Sequence, residues 1–110
     1  MRLFPFGGPR RTTRADAVVT GAGSGIGRAF AVELGRRGGR VLCSDLDADR
    51  AVDTAELVEA AGGKAIATRC DVTDITEVTA LADTALDWFG AAPTVVINNA
   101  GIGAGGPPVG

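Results

Sequence analysis

Short, mostly apolar runs alternate with amphipathic segments along most of this chain, and glycines stand at the junctions between them. Runs of four or five residues have the length of strands that are buried on both faces of a sheet. Four of them occur, at residues 17–20, 40–44, 65–68 and 94–97. Strands that alternate with single helices form parallel βαβ units, whose right-handed crossovers place helices on both faces of the sheet. The sequence therefore predicts an α/β fold, a doubly wound parallel sheet of four strands in the order 3-2-1-4 with three helices.

Each of the three predicted helices has an apolar face and is followed by glycine. The second helix is predicted to begin at a cap formed by Asp47 or Asp49. The third helix is preceded by Asp74, and Glu77 follows three residues later, which is the spacing of a capping box. The residues with helical spacing are Ile26, Phe30 and Leu34 in the first helix, Ala51, Ala55 and Val58 in the second, and Ile75, Val78, Ala82, Ala85 and Phe89 in the third.

The composition excludes several classes of protein. The 110 residues suffice for one domain, and 45% apolar and 22% charged residues are typical of a globular chain. No apolar stretch reaches the roughly eighteen residues of a transmembrane helix, so no membrane partner is expected. Cys43 and Cys70 match neither a disulfide framework nor a metal site, which favours a reduced, cytoplasmic protein. The chain has no His, no Tyr and one lysine, Lys64, so the commonest general acids and bases are missing.

Charge is unevenly distributed along the chain. Residues 1–40 hold eight arginines against two acids, whereas residues 41–110 hold three basic residues against eleven acids. The arginines near the N-terminus, Arg2, Arg10, Arg11 and Arg14, could contact nucleic acid. The acidic remainder of the chain would repel phosphate, so no nucleic-acid partner is expected. The expected organisation is a flexible basic leader over residues 1–14, a folded domain over 15–103 and a Gly/Pro-rich tail over 104–110.

A glycine-rich turn joins the first strand to the first helix. It reads Thr-Gly-Ala-Gly-Ser-Gly-Ile-Gly over Thr20–Gly27, and the helix begins inside it. A helix N-terminus offers unpaired N–H groups and partial positive charge to a pyrophosphate, and glycines leave room for its approach. The second strand ends at Asp45, whose carboxylate can accept hydrogen bonds from the hydroxyls of an adenosine ribose. The absence of Gly-Lys-Ser/Thr excludes a P-loop nucleotidase, whereas a methyltransferase with a nucleoside-like cofactor stays open on these features.

Two further short sequence motifs narrow the choice of protein family. The third strand runs into Cys-Asp-Val-Thr at Cys70–Thr73, and the fourth into Asn-Asn-Ala-Gly at Asn98–Gly101. Together with Thr-Gly-x-x-x-Gly-x-Gly in the first turn and the acid after the second strand, they resemble the short-chain dehydrogenase/reductase family over residues 16–103. The resemblance implies a Rossmann-like, NAD-binding domain over 15–103. It also implies an NAD(P)-dependent oxidoreductase that transfers hydride between the cofactor and an alcohol or carbonyl substrate.

The resemblance further implies which residues hold the dinucleotide cofactor. The glycine turn would bind the pyrophosphate and the neighbouring ribose, and Asp45 would bind the adenosine ribose and favour NAD over NADP. Ser24 supports this preference, because NADP-preferring members often carry a basic residue there. Asp71 and the backbone of Val72 would meet the adenine, and Asn99 would mainly brace the sheet. The predicted cofactor-binding set is Gly21, Gly23, Ser24, Gly25, Ile26, Gly27, Asp45, Asp71, Val72, Asn98, Ala100 and Gly101.

The catalytic part of the family pattern is missing from the sequence. In the family, a Ser and a Tyr-x-x-x-Lys pair follow the Asn-Asn-Ala-Gly strand, and neither occurs here. We therefore predict no catalytic residue and no metal site, and expect an inactive chain that forms the N-terminal, cofactor-binding part of a longer enzyme. A non-catalytic nucleotide-binding module and a truncated remnant without function are the alternatives. An alcohol or ketone substrate and a homo-oligomer are expected only for a full-length product.

The fourth strand is expected to be an unprotected sheet edge. The string Val95-Val96-Ile97 carries neither the charge nor the proline that usually guards an edge strand. A sheet that stops there would also leave apolar helix surface uncovered.

Overall fold

The structure is a computed structural model that describes residues 14–100. Its elements are β1 (Asp16–Thr20), α1 (Gly25–Arg36), β2 (Arg40–Asp45), α2 (Ala48–Ala60), β3 (Lys64–Arg69), α3 (Ile75–Phe89) and β4 (Val95–Asn98). The strands form one parallel sheet in the order β3-β2-β1-β4, which confirms the predicted fold class and strand order. Within residues 14–100, no helix is long and apolar enough to cross a membrane, and no three potential metal ligands cluster. The predicted leader, except Arg14, and the predicted tail lie outside the described residues.

The strand β1 lies inside the sheet, between β2 and β4, and contributes side chains to the core on both faces. Val18 pairs with Leu42 of β2 on one side and with Val96 of β4 on the other. Because successive side chains of a strand point to opposite faces, Val18 and Val19 belong to different core clusters. One cluster is formed by Val18, Leu42, Cys70, Leu81, Ala85 and Phe89, and the other by Val19, Ala22, Ala31, Val41, Cys43 and Val58.

Helix α1 buries its small residues instead of its large ones. The buried residues are Gly27, Ala31 and Gly35. Ile26 and Phe30, predicted to face the core, are 62% and 48% exposed, so this prediction was wrong, although Leu34 does pack against the core. The physical reason is close helix packing, since a Cβ on Gly35 would lie 2.7 Å from Cγ1 of Val58 on α2. Only a helix surface without large side chains can approach α2 so closely.

Helix α2 begins at the first of its two predicted caps. The carboxylate of Asp47 accepts hydrogen bonds from the N–H groups of Asp49 at 3.0 Å and Arg50 at 3.3 Å. The predicted apolar face is confirmed and consists of Ala51, Ala55 and Val58. Thr54 lies on the same side of the helix and is completely buried, although its hydroxyl is polar.

Helix α3 has the predicted cap but not the predicted capping box. Asp74 accepts a hydrogen bond from the N–H of Thr76 at 2.9 Å. Glu77 does not return to the cap residue, because the end of β3 supplies competing donors. Its carboxylate accepts the N–H of Asp71 at 2.8 Å and pairs with Arg69 at 3.1 Å. The spacing of Asp74 and Glu77 therefore predicted the start of the helix correctly, but the predicted partner of Glu77 was wrong.

An apolar groove separates α3 from the edge strand β4. Of the predicted α3 face, Ala85 and Phe89 are buried and Val78 is half-buried, but Ile75 is 76% exposed and Ala82 is also exposed, so the prediction was wrong for these two. The groove has a volume of about 480 Å³ and is lined by Val18, Thr20, Val72, Val78, Leu81, Ala82, Ala85, Leu86, Pro93, Val96 and Asn98. As expected, β4 is an edge in the described part of the sheet, and its Val96 is 63% exposed.

Candidate functional site

The carboxyl ends of the four parallel strands meet at one edge of the sheet. The strand order reverses at β1, because β2 and β3 lie on one side of it and β4 on the other. Ligands of open α/β sheets bind outside the carboxyl ends of the strands at such a switch point. This edge carries the glycine turn after β1, Asp45 on β2, Asp71 and Val72 after β3, and Asn98 and Ala100 at the end of β4. The fold thus brings the predicted site residues to one edge, while Gly101 lies outside the described residues.

The N-terminus of α1 has backbone N–H groups without a partner among residues 14–100 at this edge. The first backbone bond of the helix runs from the N–H of Arg28 to the carbonyl of Ser24 at 3.3 Å. The N–H groups of Gly25, Ile26 and Gly27 therefore have no partner within the helix. Ser24 occupies the N-cap position, but its side chain makes no capping hydrogen bond. These donors and the positive end of the helix dipole suit an anionic group such as a phosphate.

Two glycines of the turn are required by the close approach of β1, α1 and β4. Gly21 has a φ of 62°, and a Cβ there would lie 2.8 Å from the backbone nitrogen of Ala100. A Cβ on Gly27 would clash with the carbonyl oxygen of Gly21 and lie 2.7 Å from Nδ2 of Asn99. A side chain at either position would push the start of α1 or the end of β4 away from the turn.

The first peptide group of the turn is held from two strands. Its carbonyl, on Gly21, accepts a hydrogen bond from Nδ2 of Asn99 at 3.0 Å. Its N–H, on Ala22, donates to the carbonyl of Ser44 at 2.8 Å. Asn99 was predicted to brace the sheet, and it does so by tying the end of β4 to the turn that follows β1.

The second peptide group of the turn is held by side chains. Its carbonyl, on Ala22, accepts a hydrogen bond from the hydroxyl of Thr54 at 2.8 Å. Its N–H, on Gly23, donates to Oδ2 of Asp45 at 2.8 Å. Because its first two peptide groups are both held by hydrogen bonds, the turn presents the N–H groups at the start of α1 in one orientation.

The carboxylate of Asp45 is oriented by two backbone donors. Besides the N–H of Gly23 on Oδ2, its Oδ1 accepts the N–H of Asp47 at 2.9 Å. The side chain is half-buried, and the same residue's carbonyl accepts the N–H of Cys70 at 3.0 Å. Asp45 therefore links the glycine turn to the end of β3 and still has lone pairs for a hydroxyl ligand.

Asp71 lies in the loop after β3, next to this region. Its carboxylate accepts hydrogen bonds from the hydroxyl of Thr73 at 2.6 Å and from the N–H of Thr73 at 2.9 Å. The hydroxyl bond above all, and then the backbone bond, hold the pKa of Asp71 below its ordinary value. Val72 is half-buried and packs against the core beneath. Asp71 is therefore an anionic acceptor beside a partly apolar surface.

The end of β4 is joined to the end of β1 through Thr20. The hydroxyl of Thr20 donates to Oδ1 of Asn98 at 2.9 Å and accepts the N–H of Ala100 at 3.3 Å. Asn98 is exposed, and its side-chain N–H groups face no acceptor among the described residues. The carboxyl ends of the paired strands β1 and β4 are therefore joined through polar groups.

The parallel sheet and its order define a Rossmann-like α/β protein. The sequence profile of the short chain dehydrogenase family matches residues 15–109. Because this match covers most of the chain, the protein belongs to the short-chain dehydrogenase/reductase family, whose members are oxidoreductases that use NAD(P). The family assignment made from the turn and the Asn-Asn-Ala-Gly string is confirmed.

The individual relatives are longer proteins, and the chain matches only part of each of them. The chain is 42% identical over 91 residues to the 7alpha-hydroxysteroid dehydrogenase of Escherichia coli strain K12, which covers 83% of this chain and 34% of that enzyme. It is 38% identical over 92 residues to a hydroxynaphthalene reductase-like protein of Metarhizium acridum, again with 83% of this chain and 34% of the relative covered. The chain therefore spans about a third of the length of these curated relatives.

Solved structures are also matched over only about a third of their length. A crystal structure of hydroxysteroid dehydrogenase from Escherichia coli superimposes with a TM-score of 0.71 at 39% identity, over 74% of this chain and 34% of that one. A short-chain type dehydrogenase/reductase from Mycobacterium marinum gives a TM-score of 0.65 at 32% identity, over 70% and 30% of the two chains.

Two residues that hold the turn were not found by sequence reasoning. Thr54 bonds to Ala22, which is 32 positions away in the chain, and also accepts a hydrogen bond from Nε of Arg28 at 2.8 Å. No motif marks either residue, because their contacts depend on how α1 packs against α2. The only signal was a polar residue on the apolar face of α2.

Proposed function

We propose that residues 15–103 form the NAD-binding part of a short-chain dehydrogenase. The proposal is carried by one observation, the Asp45 carboxylate held at 2.8 Å by the N–H of Gly23. This bond holds a carboxylate directly beside a turn whose last N–H groups have no partner in the described part of the chain. A dinucleotide needs these two features side by side, because its pyrophosphate is an anion and its ribose hydroxyls are donors.

The pyrophosphate end of the proposed site is the start of α1. Gly25, Ile26 and Gly27 contribute backbone N–H groups that lack helical partners, and Ser24 contributes a hydroxyl that is not used as a cap. Gly21 and Gly23 contribute by lacking side chains, since a Cβ on Gly23 would lie 2.7 Å from Oδ2 of Asp45. The role of this segment is to bind and orient the diphosphate.

The ribose end of the proposed site selects NAD over NADP. The Asp45 carboxylate can accept hydrogen bonds from the 2′- and 3′-hydroxyls of the adenosine ribose. A 2′-phosphate would replace a donor by a second anion, and repulsion between like charges in a half-buried site weakens binding. Because two backbone donors fix the carboxylate, it cannot easily turn away from that phosphate.

The remaining predicted residues are assigned to the other parts of the cofactor. Asp71 and the backbone of Val72 would receive the adenine edge, which carries an amino donor. Asn98, Ala100 and Gly101 would line the cofactor along the end of β4. The free amide donors of Asn98 and the exposed position of its side chain support a contact with the ligand.

Hydride transfer is proposed for a longer product that includes this part. When bound, the nicotinamide supplies or accepts the hydride, and the residues of this chain bind and orient the cofactor. The family's Ser and Tyr-x-x-x-Lys are not in this sequence, so the proton transfer to an alcohol or ketone substrate is assigned to residues beyond it. We expect the 110-residue chain to bind NAD without oxidoreductase activity, in a protein of the cytoplasm.

The test is calorimetric titration of the purified chain with NAD and NADP, together with Asp45→Asn. Hydrogen bonds to a charged group contribute about 1.5–3 kcal/mol, so Asp45→Asn should weaken NAD binding by about 10- to 100-fold. NADP should bind the wild type more weakly than NAD and lose less on substitution. Asp53→Asn, an exposed acid on α2, is the matched control and should bind NAD normally. A folded chain that binds NADP more tightly, or an Asp45→Asn variant with unchanged NAD affinity, would overturn the assignment.

A further inference from the structure

A continuous chain of hydrogen bonds runs from a cation on α1 to the Asp45 carboxylate. Nε of Arg28 donates to Oγ1 of Thr54 at 2.8 Å, and the Thr54 hydroxyl donates to the carbonyl of Ala22 at 2.8 Å. The next N–H along the same peptide group is that of Gly23, and it donates to Oδ2 of Asp45 at 2.8 Å. Four groups on three elements and one turn are thus connected without a gap.

The direction of every bond in this chain is fixed by chemistry. A guanidinium has no acceptor, so Arg28 can only donate to Thr54. The single proton of the Thr54 hydroxyl is then directed to Ala22, and a carboxylate can only accept the N–H of Gly23. Each bond polarises the next in the same sense, because the chain begins at a positive group and ends at a negative one.

We propose that Thr54 and Arg28 are positioning residues for Asp45, and through it for recognition of the adenosine ribose. A hydrogen bond to the Ala22 carbonyl makes the N–H of the same peptide a stronger donor, which holds the Asp45 carboxylate more firmly. This inference rests on the proposed function, since it assigns to Thr54 an effect on the ribose ligand that Asp45 binds. It extends the site to a side chain on the far side of the turn that touches no part of the cofactor.

Burial makes the central member of the chain hard to replace. Thr54 and Ala22 are both 0% exposed, so water cannot take over either bond. Without the hydroxyl, the Ala22 carbonyl would be buried without a partner, and the peptide group would be free to rotate toward another donor. Rotation of that group would turn the Gly23 N–H away from Asp45.

A purely structural role for Thr54 would have different consequences. The helices α1 and α2 are already packed through Gly35 and Val58, away from the glycine turn. If Thr54 only joined the helices, its loss would lower stability and leave the Asp45 carboxylate as it is. A readout at Gly23 or Asp45 therefore separates the two roles.

The first experiment uses the chain without cofactor and follows the Gly23 amide by NMR. Thr54→Val keeps the shape of the side chain and removes the hydroxyl, whereas Thr54→Ser keeps the hydroxyl. In Thr54→Val, the Gly23 amide proton should move upfield and exchange with solvent about tenfold faster, and Thr54→Ser should behave as wild type. Thr79→Val is the control, because within residues 14–100 the Thr79 hydroxyl bonds only to the carbonyl of Ile75 on the same helix, at 2.9 Å. An unchanged Gly23 amide in a folded Thr54→Val variant would refute the proposal.

The second experiment measures cofactor selection. Thr54→Val should lower the affinity for NAD by about five- to tenfold and reduce the ratio of NAD to NADP affinity, because a freed carboxylate repels a 2′-phosphate less. Thr54→Ser should restore both values. Arg28→Gln retains a donor but removes the charge, and its effect should be smaller and in the same direction. Arg36→Gln should change neither value, because the only partner of the Arg36 side chain among the described residues is Glu33, on the surface of α1.

The two experiments fail in distinguishable ways. If Asp45→Asn leaves NAD binding unchanged, the proposed function is wrong, whereas the Gly23 amide still reports whether the hydrogen-bond chain exists. If Asp45→Asn weakens NAD binding but a folded Thr54→Val variant keeps both its NAD affinity and its selectivity, the positioning role is wrong and the proposed function stands. A loss of NAD affinity in Thr54→Val that Thr54→Ser does not restore would also refute the positioning role.

Discussion

Replacing Gly27 by alanine tests whether the close approach of α1 to β1 holds the whole site together. The added Cβ would clash with the carbonyl oxygen of Gly21 and lie 2.7 Å from Nδ2 of Asn99, well short of the 3.4 Å at which ordinary contact begins. Neither neighbour is the flexible end of a long side chain. One is backbone, and the other is an amide already engaged at 3.0 Å with that same carbonyl. The start of α1 must therefore move away from the turn.

The expected loss of stability is the sum of three effects, two of which destabilise the fold and one of which stabilises it. Forcing a methyl group into a closely packed position costs about 1–3 kcal/mol. Losing the hydrogen bond between Asn99 and Gly21 costs about 1 kcal/mol more. Alanine is better than glycine inside a helix by about 1 kcal/mol, which offsets part of this. We expect Gly27→Ala to lower the free energy of unfolding by about 2 kcal/mol, and the melting temperature by about 10 °C for a domain of this size.

Urea denaturation followed by circular dichroism and by the fluorescence of the single tryptophan, Trp88, measures this cost. Gly25→Ala is the matched control, because a Cβ there meets nothing within 4 Å and only the φ of 57° opposes the substitution. Its cost should be about 1 kcal/mol. If Gly27→Ala is no less stable than Gly25→Ala, the close approach of α1 to the Gly21 carbonyl is not what holds the turn, and the reasoning is refuted.

Three further predictions concern single groups of the fold. Burial raises the pKa of Cys43 to about 12. Iodoacetamide at pH 8 should therefore leave this thiol unmodified in the folded chain and alkylate it in urea, and alkylation at equal rates in both would contradict its burial. Arg40 binds Asp16 at 2.7 Å and the Phe89 carbonyl at 3.1 Å, so Arg40→Met should lower stability to urea by about 1 kcal/mol, and an unchanged midpoint would refute this. The depressed pKa of Asp71 stabilises the folded state above about pH 4, and this contribution is lost as the pH falls through the folded pKa. Thr73→Val should therefore raise the Asp71 pKa in an NMR titration and cost stability at pH 7, with a cost that shrinks as the pH is lowered; an unchanged Asp71 pKa would contradict this.

The strands and their order followed from the sequence because they depend on local patterns. Four short apolar runs, each followed by a glycine or a polar turn, predicted strands within one or two residues of those in the structure. The order followed from the handedness of βαβ connections and from the position of the glycine turn after the first strand. These rules use only neighbouring residues and chain direction, and both can be read from a sequence.

Helix faces were predicted less well, because periodicity gives weight to large side chains. Ile26 and Phe30 mark an apolar stripe on α1, yet the neighbouring stripe of small residues is the one that reaches the core. Tight packing of Gly27 against the Gly21 carbonyl and of Gly35 against α2 selects small side chains, and hydropathy does not measure size. On α3, Ile75 and Ala82 lie at exposed positions that no described element covers.

The polar contacts of the site depended on the tertiary structure and could not be predicted. The positions of the glycine turn and of Asp45 at the sheet edge followed from the strand assignments. The bond between Asp45 and Gly23 spans 22 positions, and the bond between Thr54 and Ala22 spans 32. Which donors reach an acceptor over such separations depends on the packing of α1 against α2.

The pairing of β1 with β4 sets the order in which the sheet can form during synthesis. Asp16 at the start of β1 is 78 positions from Thr94, which precedes β4, whereas Asp16 and its partner Arg40 on β2 are separated by 24. A ribosome that adds about 5–20 residues per second delivers β4 several seconds after β1 and β2 can pair. For that interval one long edge of β1, with Val18 and Val19, has no neighbour. An interior strand of the described sheet is thus an exposed edge of the nascent one. A chaperone that shields apolar strands would act before the Asn98–Asn99 segment has left the ribosome.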